Sequence, residues 1–175
     1  GMKSALFVID MQNGFVTDDT RSIIPVVEKL IQKFQQRTEE VIFTKFINNE
    51  DSAFQRLLHW NGMHDSPSTD ILSDFTPYVE EGAVFLKHSY SSLTPEIVQF
   101  LEEKNIKKVY LCGTATNYCI LATAIQAFDA NYDVFVVEDA CAPQSSEGNV
   151  WHEKAIDIIQ KIIGRDQIIS STSLI

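Results

Sequence analysis

The sequence predicts an α/β fold, with a parallel sheet covered by helices on both faces. Two observations carry this. Short apolar runs recur along the 175 residues, each unbroken in its apolar character, as in strands buried on both faces. Between most of them lie longer segments whose apolar residues return at helical spacing.

Ala5–Asp10 is the first strand. Pro25 is expected to open a helix, with Val26, Val27, Leu30, Ile31 and Phe34 at helical spacing behind it. Glu40–Ile47 and Ala83–Lys87 are the second and third strands. Thr94-Pro95-Glu96 starts the next helix with a capping hydroxyl and Pro at the first helical position, and the helix runs to about Asn105. Lys108–Cys112 is the fourth strand, followed by a helix from Asn117 to Ala130. Asp133–Val137 is the fifth strand, Glu147–Ile163 a long amphipathic helix closed by Gly164, and Gln167–Ser170 a short sixth strand. The stretch Asn48–Gly82 breaks the alternation. Loops of that length carry function or short helices of their own, and Ser52–Trp60 reads as one such helix.

The length suits one domain, 1–175, around one core. A net charge of −10 repels nucleic acid and anionic membranes, so neither is an expected partner. The three cysteines, Cys112, Cys119 and Cys141, include no CxxC pair, so neither a disulfide framework nor structural zinc is expected, and a cytoplasmic setting fits. The first apolar run is too short to span a bilayer, and no signal-peptide pattern is expected. Gly1 ahead of Met2 reads as a residue left by tag removal.

In open α/β sheets, ligands sit at the carboxyl ends of the strands. Cys119 has the best position there, in the first turn of the helix after strand four. Unpaired amides and the helix dipole should lower its pKa towards a nucleophilic thiolate. By position alone it reads more often as a small apolar residue packing under a strand. Asp10 closes strand one, where it serves as a proton acceptor or simply ends the strand ahead of an Asn13-Gly14 turn. Lys87 closes strand three, as a cation for the pair or as a surface lysine. His59, His64, His88 and His152 show no metal spacing, and His152 within the last helix reads as packing or capping. Glu138-Asp139 lacks the Gly-rich turn that a dinucleotide fold would need. Cys112 reads as core, and Cys141 as an exposed loop thiol competing with Cys119.

Three segments together resemble the isochorismatase-like cysteine hydrolases. Leu6-Phe7-Val8-Ile9-Asp10-Met11-Gln12-Asn13-Gly14-Phe15 is similar to that family's first strand with its catalytic Asp. Phe85-Leu86-Lys87-His88-Ser89-Tyr90-Ser91 is similar to its lysine segment, and Gly113-Thr114-Ala115-Thr116-Asn117-Tyr118-Cys119-Ile120 to its nucleophile segment. Glu138-Asp139-Ala140-Cys141-Ala142 and His152 follow in matching order. The resemblance implies a three-layer α/β/α sandwich around a six-stranded parallel sheet of order 3-2-1-4-5-6. It implies a catalytic set of Asp10, Lys87 and Cys119, a cis peptide between Thr114 and Ala115, and an oxyanion hole from the amides of Ala115 and Cys119. The implied reaction is hydrolysis of a small amide or related C–N bond through a thioester. Hydrolysis of a vinyl ether, or ligand binding without catalysis, stands as the alternative.

In that strand order Lys87 ends an outer strand and Asp10 a central one, so the lysine stem or a fold-back of its loop must close the gap. The nicotinamidase branch carries a metal-binding Asp-x-His after strand two. Here that place reads Thr44-Lys45-Phe46-Ile47-Asn48-Asn49-Glu50-Asp51, so no metal and no cofactor are expected. Phe15, Phe46, Trp60, Tyr90 and Tyr118 are candidate pocket walls for a small, partly apolar or planar substrate. Family members are commonly dimers or tetramers, so a homodimer or homotetramer is expected.

Overall fold

The computed structural model describes residues 3–175, so the reading of Gly1 lies outside the described residues. A six-stranded sheet runs in the order β3-β2-β1-β4-β5-β6. Its strands are β1 (Ser4–Ile9), β2 (Glu40–Phe46), β3 (Ala83–Lys87), β4 (Lys108–Thr114), β5 (Asp133–Ala142) and β6 (Ile168–Ile169). All neighbours pair in parallel. The helices are α1 (Asp18–Gln36), α2 (Ala53–Leu58), α3 (Thr76–Val79), α4 (Pro95–Glu103), α5 (Leu121–Asp129) and α6 (Val150–Ile163).

Successive side chains of a strand point to opposite faces, and every residue of β1 is buried. Leu6 and Val8 pack with Ile23, Val27, Leu30, Ile31 and Phe34 of α1 on one face. Ala5, Phe7 and Ile9 face the opposite core, shared with Ile97 of α4, Ala124 of α5 and Ile159 of α6. The three layers follow from these two apolar faces.

Three expected boundaries are corrected. The first helix begins at Asp18, seven positions before Pro25. Thr17 and Thr20 form a reciprocal cap, and Asp18 and Asp19 complement the dipole in the first turn. Pro25 is exposed, so the carbonyl it leaves without an amide partner, at Arg21, lies on the solvent side. Strand β5 continues past Val137 to Ala142 after a register shift opposite Leu111 and Gly113. Cys141 therefore lies buried in a strand, not in an exposed loop, with Sγ 3.3 Å from the Val137 carbonyl oxygen it donates to. The helix expected over Asn117–Ala130 is a wide π-helical turn, Thr116–Ile120, continued by α5.

The β4 bulge requires Gly113. Its φ is +113°, and a Cβ there would stand 2.3 Å from Ile9 O. This close approach brings the ends of β1 and β4 together. The long segment after β2 is sewn down by buried Gln12. Its Nε2 donates to Phe46 O and Thr69 O, each at 2.8 Å, while its Oε1 accepts from Phe46 N at 2.9 Å. No helix among the described residues is long and apolar enough to cross a membrane.

Candidate active site

Asp10 follows β1 with φ of +51°. This turns its carboxylate off the strand path, and Thr44 of β2 holds it there. Thr44 Oγ1 donates to Asp10 Oδ1 at 2.7 Å and accepts from Asp10 N at 3.0 Å. Lys87, at the end of β3, reaches past β2 to place Nζ 2.9 Å from Asp10 Oδ2, with both side chains shut off from solvent. The stem and the following loop together close the gap, because Nζ also donates to Tyr90 O at 2.7 Å and Ser92 Oγ at 3.2 Å. No donor among the described residues is aligned on Asp10 Oδ2 as a hydrogen bond. That oxygen is paired in charge with Lys87 but keeps a lone pair for a proton.

Cys119 sits beside both groups, in the π-helical turn. A chain of contacts ties it to the lysine loop: Ser92 N donates to Thr123 Oγ1 at 2.9 Å, and Thr123 Oγ1 donates to Cys119 O at 2.6 Å. Burial and then the Asp10 carboxylate push the Cys119 thiol well above the ordinary thiol range, and the Lys87 ammonium pulls the other way. The expected lowering by the helix terminus is thus overturned: loss of solvent around the sulfur outweighs the local dipole. Burial works to lower Lys87, but Asp10 and Cys119 hold it above its usual value. The resting arrangement is a thiol beside an ammonium–carboxylate pair.

The Thr114–Ala115 peptide is cis. Ala115 O accepts from the amides of Tyr118 and Ile120, each at 3.0 Å. Asn117 and Gln144 exchange hydrogen bonds at 3.1 and 3.2 Å, which ties the loop after β5 to the nucleophile turn. His152 contacts the same turn from α6, with Nδ1 2.7 Å from Thr116 Oγ1.

These groups open into a cavity of about 620 Å³. Asp10, Cys119, Thr114 and Ala115 line its floor, and Phe15, Phe46, Trp60, Tyr90 and Tyr118 its walls. Phe54 and Leu58 of α2, and Gln144 from the loop after β5, join the lining without having been expected. Thr44, Ser92 and Thr123 were also missed. Neutral hydroxyls inside apolar segments carry little signal until the strand register shows what they face.

The remaining candidates fall elsewhere. Asp139 Oδ1 accepts from Ser171 N at 2.8 Å and so caps the C-terminal turn. His88 bonds the Ile47 carbonyl through Nδ1. The residues near the end of β2 do not fit a metal: the two ring nitrogens of His64 lie 2.7 Å from Asn48 O and 2.9 Å from Asn61 Oδ1. No three His, Cys, Asp or Glu side chains converge as ligands among the described residues.

A family model described as the isochorismatase domain matches residues 4–165. The isochorismatase domain-containing protein 2 of Xenopus laevis is 30% identical over 145 residues, which cover 81% of this chain. The match spans 62% of that relative's length. Among solved structures, a cysteine hydrolase from Pseudomonas syringae superposes with a TM-score of 0.88 at 20% identity, covering 98% of this chain and 90% of that one. An N-carbamoylsarcosine amidase from Thermoplasma acidophilum superposes with a TM-score of 0.83 at 25% identity, covering 97% of each chain.

Proposed function

The chain belongs to the isochorismatase family, and from its site we propose that it is a cysteine-dependent hydrolase of a small amide or related C–N bond. The observation that carries this reading is the meeting of Asp10, Lys87 and Cys119, with Asp10 and Cys119 opening into one cavity and Lys87 buried behind Asp10. The likeness to an amidase structure supports the C–N bond as the target.

Asp10 Oδ2 takes the Cys119 proton as the sulfur attacks the substrate carbonyl. Lys87 offsets the negative charge that develops on the sulfur as its proton leaves and before the C–S bond passes it to the carbonyl oxygen. The carbonyl oxygen gains a negative charge and is held by the amides of Ala115 and Cys119. As the C–N bond breaks, Asp10 returns the proton to the leaving nitrogen. Asp10 then takes a proton from water, the new C–O bond forms, and the thioester C–S bond breaks. The sulfur leaves as thiolate and recovers the proton from Asp10. A thiol held neutral at rest suits this order, because the proton moves only when a carbonyl is in place.

The test is an ammonia-release screen over small amides and ureides, with Cys119→Ala and Asp10→Ala as controls. Both variants are expected to lose activity. Hydrolysis of a vinyl ether that survives Cys119→Ala but not Asp10→Ala would replace this reading with the ether one.

A further inference from the structure

A lysine ammonium carries three N–H donors. In Lys87 two of them go to the loop that follows its own strand, to Tyr90 O at 2.7 Å and to Ser92 Oγ at 3.2 Å. The third is left on the side of Asp10 Oδ2, 2.9 Å away, and of the Cys119 sulfur. The loop thus sets the direction in which the ammonium faces the reacting pair.

The same loop is joined to the nucleophile. Ser92 N donates to Thr123 Oγ1 at 2.9 Å, and Thr123 Oγ1 donates to Cys119 O at 2.6 Å. Both Ser92 and Thr123 are fully buried, and neither lines the cavity. A threonine hydroxyl in a helix commonly bonds the carbonyl four residues back, and that contact alone serves only its own helix. Here the hydroxyl also receives an amide from a segment 31 residues away, which turns its own proton towards Cys119 O. The carbonyl it holds lies where the π-helical turn passes into α5 and the regular helical ladder changes its period.

We propose that Ser92 and Thr123 are positioning residues, a bridge that holds the Lys87 charge at a fixed distance from the Cys119 sulfur. Resting on the hydrolase reading above, the bridge acts at the step in which the proton leaves the sulfur. The attraction between ammonium and thiolate falls with distance and is strong only where water is excluded. A cation attached to the nucleophile's own backbone carbonyl cannot drift from the sulfur as that charge forms.

Alkylation of Cys119 by iodoacetamide needs no substrate and reads the bridge by itself. Thr123→Val keeps the shape but removes the acceptor of Ser92 N and the donor to Cys119 O. Its alkylation at about pH 9 should be at least about threefold slower than in the unsubstituted protein, with the pH profile displaced to the alkaline side. Thr123→Ser keeps the hydroxyl and should restore the rate. Ser92→Ala removes the Oγ that aims Lys87 and should also slow alkylation. Gln126 Nε2 donates to Leu93 O at 3.2 Å, a separate tie that keeps the loop docked on α5 in these variants. A Thr123→Val protein that is less stable to urea but alkylates with the unsubstituted pH profile overturns the proposal, because the bridge would then only support the fold. Faster alkylation of Ser92→Ala overturns it too, since Ser92 would be holding the ammonium away from the sulfur. If Thr123→Val does not fold, Ser92→Ala decides alone by the same measurement. Amide turnover is read separately: kcat of Thr123→Val should fall by about ten- to a hundredfold with KM little changed. An unchanged kcat overturns the positioning role. If the unsubstituted protein hydrolyses no amide, the amidase reading falls and alkylation still decides the bridge.

Discussion

Lys87 Nζ meets Asp10 Oδ2 at 2.9 Å although β2 runs between their strands. Neighbouring strands lie about 4.8 Å apart, so the two backbones stand about 10 Å apart and the lysine stem bridges most of that gap. Both charges are removed from water, and each is the other's counterion.

Breaking the pair on one side should therefore be costly. Lys87→Met leaves the Asp10 carboxylate buried with Thr44 alone, and a loss of about 3–5 kcal/mol is expected. The double variant Asp10→Asn/Lys87→Met removes both charges and should recover much of that loss. Urea unfolding of the three proteins measures it. A single variant as stable as the unsubstituted protein would show that the pair is not formed.

The two partners act on the Cys119 thiol in opposite directions, and alkylation reads this directly. Asp10 raises the thiol and Lys87 lowers it. Asp10→Asn should make Cys119 react faster with iodoacetamide at neutral pH while reducing amide turnover by about 10²–10⁴. Lys87→Met should slow the same alkylation and shift its pH profile to more alkaline values. In the unsubstituted protein the alkylation rate should still be rising above the ordinary thiol range. Cys112 and Cys141 are buried and should not compete. Slower alkylation in Asp10→Asn would mean that the carboxylate activates the resting thiol, contrary to the geometry.

The raised Cys119 thiol also marks where sequence reasoning reached its limit. The resemblance brought Asp10, Lys87 and Cys119 forward as a set, and the three meet because strand ends in a parallel sheet converge on one edge. Of the five expected aromatic walls only Trp60 lies in the long segment after β2; Phe46 ends a strand, and Phe15, Tyr90 and Tyr118 follow strands. The state of the thiol was not visible. A helix terminus is a local feature of sequence, whereas burial depends on Asp10, Lys87 and the cavity rim, which arrive from distant strands. Thr44 was hidden for the same reason, as a hydroxyl in an apolar strand until parallel pairing set it beside Asp10. Local competition explains the misplaced start of α1, where Pro25 gave a plausible first turn and masked the stronger Thr17–Thr20 cap.

His152 should make the protein sensitive to mild acid. Burial lowers its pKa below the ordinary value, against the raising influence of Glu138, Glu153 and Asp19. The folded state thus binds fewer protons than the unfolded chain between the two values. Its contribution is intact above the unfolded pKa of about 6.5 and is lost as pH falls through the folded one. Thermal unfolding should show a decline beginning near pH 6.5, before the carboxylates titrate. His152→Gln keeps a partner for Thr116 and should flatten that early decline. An unchanged pH profile in the variant would assign the decline to other groups.

Thr44 tests whether Asp10 needs its anchor as well as its counterion. Thr44→Val is close in shape but removes the donor to Oδ1 and the acceptor of Asp10 N, both buried. Each group left without a partner costs about 1–3 kcal/mol. The carboxylate, released from one side, should also rotate away from Cys119, so kcat should fall more than KM changes. Thr44→Ser restores the hydroxyl without the methyl and should recover most of the activity while remaining slightly less stable. If Ser reduced kcat as much as Val, the hydroxyl alone would not hold the carboxylate, and its positioning role would fail. If Val lost stability but kept kcat, Lys87 alone would suffice to aim Asp10 at the sulfur.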